Sequence, residues 1–221
     1  MQDSLMVTGI VLKALPVGEY DKVLTILTQE RGKISAFARN ARKMNNPLMA
    51  AANLFCFGHF RLYAGKNAYT IAEAQISQYF DELHKEPEAA CYGMYFLEVA
   101  DYYTRENNEE QEMLKLVYQS LRALSHPKFS NEFVRAVFEC KAMAVNGEFP
   151  GVLPQMQVSD IVRYTIGFIA ESSVEKLYSF TIPEDALLEL EKICELYCER
   201  IWNHSFKSLS ILQNFTVEKQ N

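Results

Sequence analysis

Near residue 80 the apolar residues of this 221-residue chain change period. Before that point they alternate, or run unbroken through short β-branched stretches. After it they recur at steps of three and four. A period of two lines one face of a strand, and a step of three to four lines one face of a helix. The sequence therefore predicts an α+β chain of two domains, a β domain over residues 1–79 and an α-helical domain over residues 80–221, with the boundary within 77–86. A length of 221 residues accommodates such a pair.

Five strands are expected in the first part. Residues 5–15 form the first, with Gly9 as a bulge or bend, and a turn at Pro16-Val17-Gly18-Glu19 follows. Residues 22–28 are β-branched and apolar on both faces, as in a buried barrel strand. A hairpin turn over 30–33 leads to a third strand at 34–38, then to a polar loop at 39–47 closed by Pro47. Residues 48–53 suit a short helix or turn. Residues 54–64 alternate, with Leu54, Cys56, Gly58, Phe60 and Leu62 inward and Phe55, Phe57, His59, Arg61 and Tyr63 outward. A turn at Gly65-Lys66-Asn67 leads to the last strand, 68–76. Five short strands of this kind fit a small closed barrel of the OB type.

In the second part, helices are expected over 87–105, 110–125 and from Ser130 or Asn131 to 146, with Gly147 beyond the last of these. Residues 149–158 carry Pro150, Gly151 and Pro154 and are irregular. Helices over 160–170 and from 183–184 to 202 complete the set. Tyr92, Tyr95, Phe96, Tyr102 and Tyr103 are too many for one buried stripe, so some should face a groove or the barrel. Trp202, His204, Phe206 and Lys207 either pack the C-terminal tail or receive an acidic peptide ending in an aromatic residue.

Catalytic signatures are missing. The chain has no GxGxxG, GxxxxGK[ST] or GxSxG, and its histidines (His59, His84, His126, His204) are isolated. Five scattered cysteines include no CxxC pair; Cys194 and Cys198, at i and i+4, read as core thiols. No apolar run approaches the ~20 residues of a membrane span, and the N-terminus lacks the basic and apolar regions of a signal peptide. The expectation is a cytoplasmic, non-enzymatic protein with no cofactor, no metal and no membrane partner.

Charge supplies the functional lead. The chain carries a net −6, yet residues 1–80 hold nine cations against five anions, while 81–221 hold thirteen against twenty-three. Lys33, Arg39, Arg42 and Lys43 bracket the third strand and its loop, and clustered cations in an acidic protein repel one another unless an anion is near. They are the first candidates for contacts to the phosphates of a single-stranded nucleic acid, and Lys13, Arg61 and Lys66 are the second. Phe37, Phe55, Phe57 and Tyr63 would suit base stacking, but a small barrel needs large side chains inside, and the core assignment is preferred for them. The competing class is a protein–protein adaptor that binds no DNA. An unrecognised hydrolase or nuclease is a third reading.

Four segments in order carry a resemblance: Thr8-Gly9-Ile10-Val11-Leu12, Gly18-Glu19-Tyr20-Asp21, Leu27-Thr28-Gln29-Glu30-Arg31-Gly32-Lys33-Ile34, and Arg39-Asn40-Ala41-Arg42-Lys43. Together they resemble the N-terminal half of the bacterial RecO recombination mediator family. Ala72-Glu73, residues 95–98 and Phe206-Lys207-Ser208-Leu209 are also similar to its pattern. The resemblance implies an OB domain followed by a helical domain, binding of single- and double-stranded DNA, strand annealing, and association with RecR and with the acidic tail of single-stranded-DNA-binding protein. These act together in loading recombinase onto gapped DNA, which would put the protein on the nucleoid when DNA is bound. Many members carry a four-cysteine zinc module near the position of 149–158; that stretch has no cysteine here, so no zinc is expected. The family's basic loop has Gly where Asn40 stands, and Asn tolerates left-handed backbone angles.

Overall fold

The computed structural model describes residues 4–218, with side chains from 4 to 212. Five strands close a barrel in the order β1-β2-β3-β5-β4: β1 (Ser4–Val17), β2 (Asp21–Thr28), β3 (Gly32–Ala38), β4 (Phe57–Tyr63) and β5 (Tyr69–Gln78). All neighbours are antiparallel except β3 and β5, which pair in parallel at Ala36 with Tyr69 and Phe37 with Thr70. The expected five strands and barrel are therefore present. A short helix α1 (Leu48–Ala51) lies between β3 and β4.

The barrel interior follows from alternation. Val7, Val11, Leu24, Ile26, Ile34, Ala36, Phe60 and Leu62 point inward and are essentially inaccessible. Burying each large side chain is worth roughly 1.5–3 kcal/mol. Ala38, Ala41, Leu48 and Ala52 extend this cluster, so the 39–47 loop and α1 plug one end of the barrel. The inward set expected for β4 is thus buried at Gly58, Phe60 and Leu62. Phe55 departs from the expected outward set. It precedes the strand at φ 69° and is 2% exposed, with its ring 5.7 Å from His84.

Gly9 is no bulge. It pairs in register with Thr28 and with Gly58, and a Cβ there would press on the Leu27 carbonyl oxygen. The irregularity comes three residues on, between Val11 and Lys13, where the β1–β2 register shifts. There Val11 exchanges backbone hydrogen bonds with Phe55 and Cys56 instead.

Helices make up the rest: α2 (Asp81–Lys85), α3 (Pro87–Tyr103), α4 (Gln111–Leu124), α5 (Asn131–Val145), α6 (Asp160–Glu171), α7 (Glu184–Ile201) and α8 (Lys207–Glu218), with a 3₁₀ turn at Val174–Lys176. Ser130 caps α5 by accepting from the Phe133 N–H, and Gly147 follows the α5 terminus at φ 72°. Two helices escaped the sequence pattern, α2 because it is one turn long and α8 because it follows α7 after a break of only five residues.

The chain groups into two compact units, and they do not divide at a single point. One is Met1–His84 with Leu97–Leu114; the other is Lys85–Phe96 with Lys115–Asn221. In the first unit the segment after α3 is strapped to the β2–β3 turn. The Lys33 N–H donates to the Arg105 carbonyl (3.0 Å), the Asn107 N–H donates to the Arg31 carbonyl (2.9 Å), and Gly32 forms a β-bridge with Glu106. Gly32 sits at φ 63°, and a Cβ there would clash with the Arg105 carbonyl oxygen. Gly32→Ala should cost about 2 kcal/mol or more, from both left-handed strain and the clash. Urea unfolding measures it, and a loss under ~0.5 kcal/mol would mean the strap contributes little.

The second unit is organised on α5, which packs against α6 and α7. Phe96 stacks on Phe138 at 4.1 Å, and Phe206 packs edge-on to Tyr95 and Trp202. Trp202 and Phe206 are buried, so of the two readings for this tail the structure favours packing. Lys141 donates to the Ala170 and Ser172 carbonyls at the end of α6, placing a cation where a helix terminus carries partial negative charge. Cys140 and Cys194 are buried with their sulfurs 3.1 Å apart, the core environment expected for Cys194.

Candidate nucleic-acid interface

The loop after β3 is held firmly. Asn40 and Asn45 take left-handed angles, φ 55° and 62°, which asparagine reaches more readily than other non-glycine residues. The Asn40 N–H donates to the Asp21 carboxylate at 2.7 Å, and the Arg42 N–H donates to the Tyr20 carbonyl at 2.9 Å. The Arg42 guanidinium donates to the Gly18 and Glu19 carbonyls. Lys43 Nζ lies 4.7 Å from the centre of the Tyr20 ring. With Ala41 buried beneath, the loop is fastened onto the β1–β2 turn, and Arg39, Arg42 and Lys43 are exposed on it.

Lys22 joins this group. Its ammonium donates to the Ala52 carbonyl and to Asn53 Oδ1, both at 2.8 Å. Burial, and next the charge of Arg42, lower its pKa from the ordinary lysine value. Sequence reasoning missed Lys22 because it opens an apolar strand. Its neighbour Asp21 opens β2 and accepts the Asn40 N–H of the basic loop, a contact across 19 residues that no local signal announces. Of the two nearby acids, Asp21 is engaged by Asn40. Glu19 accepts a hydrogen bond from the Tyr20 hydroxyl, which raises the phenol's pKa.

From this end a row of outward side chains crosses the barrel in register: Leu15 opposite Val23, Val23 opposite Phe37, Phe37 opposite Thr70, and Thr70 opposite Tyr63. Leu15 is 59% exposed and Phe37 38%, while Val23, Thr70 and Tyr63 are half-buried. Arg39 lies two residues beyond Phe37. Lys66 lies on the opposite flank, because β3 and β5 run parallel and the 64–68 hairpin precedes the pairing of Tyr69 with Ala36. Arg39 follows the end of β3 and Lys66 stands in the hairpin that leads into β5, so the two leave the row in opposite directions along the strands. Both are exposed, and neither makes an ion pair among the described residues.

The other candidate cations are engaged within the protein. Lys13 and Lys33 both bind Asp101 of α3, at 2.6 and 2.9 Å, and Lys33 also donates to the Asp101 carbonyl. They lie on the outer face of β1–β3 with Ile10, Leu12 and Leu27, which are buried but stand outside the interior cluster. The sequence signal was Asp101 itself, an acid on an otherwise apolar stripe. Arg61 pairs with Glu73 across β4–β5 at 2.5 Å. Among the described residues, no group of three or more His, Cys, Asp or Glu is placed to hold a metal ion.

Asp101 gives a pH-dependent prediction. Burial raises its pKa, but the hydrogen bonds and charges of Lys13 and Lys33 outweigh that and leave it below the ordinary carboxylate value. The stabilisation is therefore full above the unfolded-state value of about 4 and is lost as pH falls through the lowered folded value. Asp101→Ala should cost about 1–3 kcal/mol at pH 7, with a gap from the parent that narrows below pH ~4. Urea unfolding at several pH values checks this; a gap unchanged with pH would contradict the ion-pair account.

Residues 1–80 match the sequence profile described as "Recombination protein O N terminal", and residues 84–152 match the one described as "Recombination protein O C terminal". The chain is 24% identical to the DNA repair protein RecO of Acetivibrio thermocellus, over 95% of this chain and 96% of that one. It is also 24% identical to the RecO of Clostridium perfringens, over 93% and 96%. With the RecO of Caldicellulosiruptor bescii the identity is 32% over 141 residues, 64% of this chain and 57% of the relative. No helix among the described residues is long and apolar enough to cross a membrane. An N-terminal five-stranded barrel, a helical region after it and matches to both halves of one family converge: this chain belongs to the RecO family of DNA repair proteins.

Proposed function

We propose that the protein is a non-catalytic recombination mediator that binds single- and double-stranded DNA through its barrel and promotes annealing of complementary strands. With RecR it would load recombinase onto gapped DNA coated by single-stranded-DNA-binding protein. The observation that carries this reading is the gathering of Arg39, Arg42 and Lys43 on a fastened loop beside Lys22, in an otherwise acidic chain. OB barrels bind oligonucleotides on the face of their second and third strands and on the loops that flank it. Here Arg42 and Lys43 contact the β1–β2 turn, and Lys66 is in the β4–β5 hairpin. Phosphate contacts fall first to Arg39, Arg42 and Lys43, then to Lys66. Lys13 and Lys33 are held by Asp101, and Arg61 by Glu73, so these three contribute less. The acidic sequence after residue 80 repels the DNA backbone and favours the barrel.

The adaptor reading draws on α6, where Tyr164 is 75% exposed and Ile161 49% exposed, as a protein-docking surface would be. A labelled oligonucleotide titrated with the full-length protein at low and rising salt separates the two. The mediator reading expects binding that weakens steeply with salt. No binding at low salt would leave the adaptor.

A further inference from the structure

We propose that the outer row Leu15–Val23–Phe37 is a stacking platform, and that Phe37 makes the site selective for unpaired over paired DNA. This rests on the reading that the loop cations hold the DNA backbone. Phe37 has the alternation of a barrel strand residue, but it faces outward, between the buried Ala36 and Ala38. It stands mid-sheet, with Val23 on one side and Thr70 on the other. Leu15 extends the apolar row at 59% exposure, and Tyr20, 41% exposed, stands in the turn beyond it. From Leu15 to Thr70 the row crosses four strands, ~14 Å. Scattered single apolar residues on a surface need no explanation, but here register makes them contiguous.

The occupant is fixed by what borders the row. Arg39 lies two residues past Phe37 on one flank and Lys66 on the other, so the apolar strip is bounded by cations on both sides. A ligand that pairs regularly spaced negative charges with flat apolar rings matches that pattern, and a single nucleic-acid strand is such a ligand. In a duplex the bases already stack on one another and expose only their edges, so a ring standing on a sheet gains nothing from them. The cations act on both forms; Phe37 acts on the unpaired strand.

The test compares the parent with Phe37→Leu, which keeps apolar bulk and loses the ring, and with Phe37→Trp, which keeps the ring. Binding of an unpaired oligonucleotide and of a duplex of the same length is measured for each at one salt concentration, and circular dichroism confirms folding. Phe37→Leu should weaken single-strand binding ~10-fold and duplex binding less than ~2-fold, with the salt slope unchanged. Phe37→Trp should retain single-strand affinity, and its indole fluorescence should be quenched by an unpaired strand but not by a duplex. Equal loss on both DNA forms, or no loss on either, would overturn the platform. Arg39→Gln/Arg42→Gln/Lys43→Gln, measured alongside, separates the two levels. If it binds as the parent does, the cation site itself is wrong; if it loses binding while Phe37→Leu does not, only the platform is.

Discussion

Replacing Arg39, Arg42 and Lys43 together by glutamine should lower single-strand affinity about 100-fold near 0.1 M salt. It should also flatten the plot of log affinity against log salt by about 2. Each phosphate contact on a single strand releases ~0.7 of a counterion, so three lost contacts give that change in slope. The fold should survive. The side chains of Arg39 and Lys43 are exposed, and the structural bonds of Arg42 are its backbone N–H to Tyr20, which the variant keeps, and a guanidinium contact of 3.2–3.4 Å to carbonyls that water can replace. The same triple change at Lys13, Lys33 and Arg61 should alter the slope far less, because those cations already have carboxylate partners. Titrations of both variants across salt check the pair; equal slopes for the two would mean that the loop has no special role.

The largest stability effect is expected in the second unit. Glu139 is 2% exposed in α5, and it accepts hydrogen bonds from the Tyr95 hydroxyl at 2.7 Å and from Arg135 Nε at 2.8 Å. Arg135 also lies over the Tyr95 ring. Burial and the neighbouring Glu139 carboxylate both push the Tyr95 phenol far above its ordinary pKa, so it remains a donor. Glu139→Ala strands the guanidinium and the hydroxyl, and should cost about 3–5 kcal/mol, or roughly 10 °C in Tm. Arg135→Met leaves Glu139 buried without its cation and should cost a similar amount. The double variant Arg135→Met/Glu139→Leu should recover most of either loss, because the charges then leave the interior together. Thermal unfolding of the three variants tests this, and single losses that simply add in the double variant would show that the pair is not coupled.

The barrel was legible because alternation is a local signal. Gly58, Phe60 and Leu62 announce the inward face of β4 within their own strand, and the run of β2, apolar on both faces, announces a buried strand. Helix α5 was legible through its Ser130 cap and trailing Gly147 for the same reason. What the sequence hid depends on residues far apart in the chain. Lys13 and Lys33 look like surface cations until Asp101, 88 and 68 residues away, is brought against both. Phe37 looks like barrel core because its neighbours in sequence are; only the register of β2, β3 and β5 shows that the small alanines fill the interior and the ring stands outside. Phe55 fails in the other direction, since its left-handed backbone breaks the alternation that placed it outward. The basic loop itself was readable as a cluster of cations in an acidic chain, and the left-handed angle of Asn40 through the glycine that the resembling family carries there.

The proposed function puts DNA on the barrel, across the β1–β2 turn and the loop after β3. Backbone hydrogen exchange of the full-length protein with and without an unpaired oligonucleotide at low salt tests it most directly. Protection is expected in peptides covering 18–23 and 35–47, and weaker protection over 63–70, with little change in peptides of α5 to α7. Protection concentrated on the helices, with 18–23 and 35–47 unchanged while the oligonucleotide is bound, would contradict it.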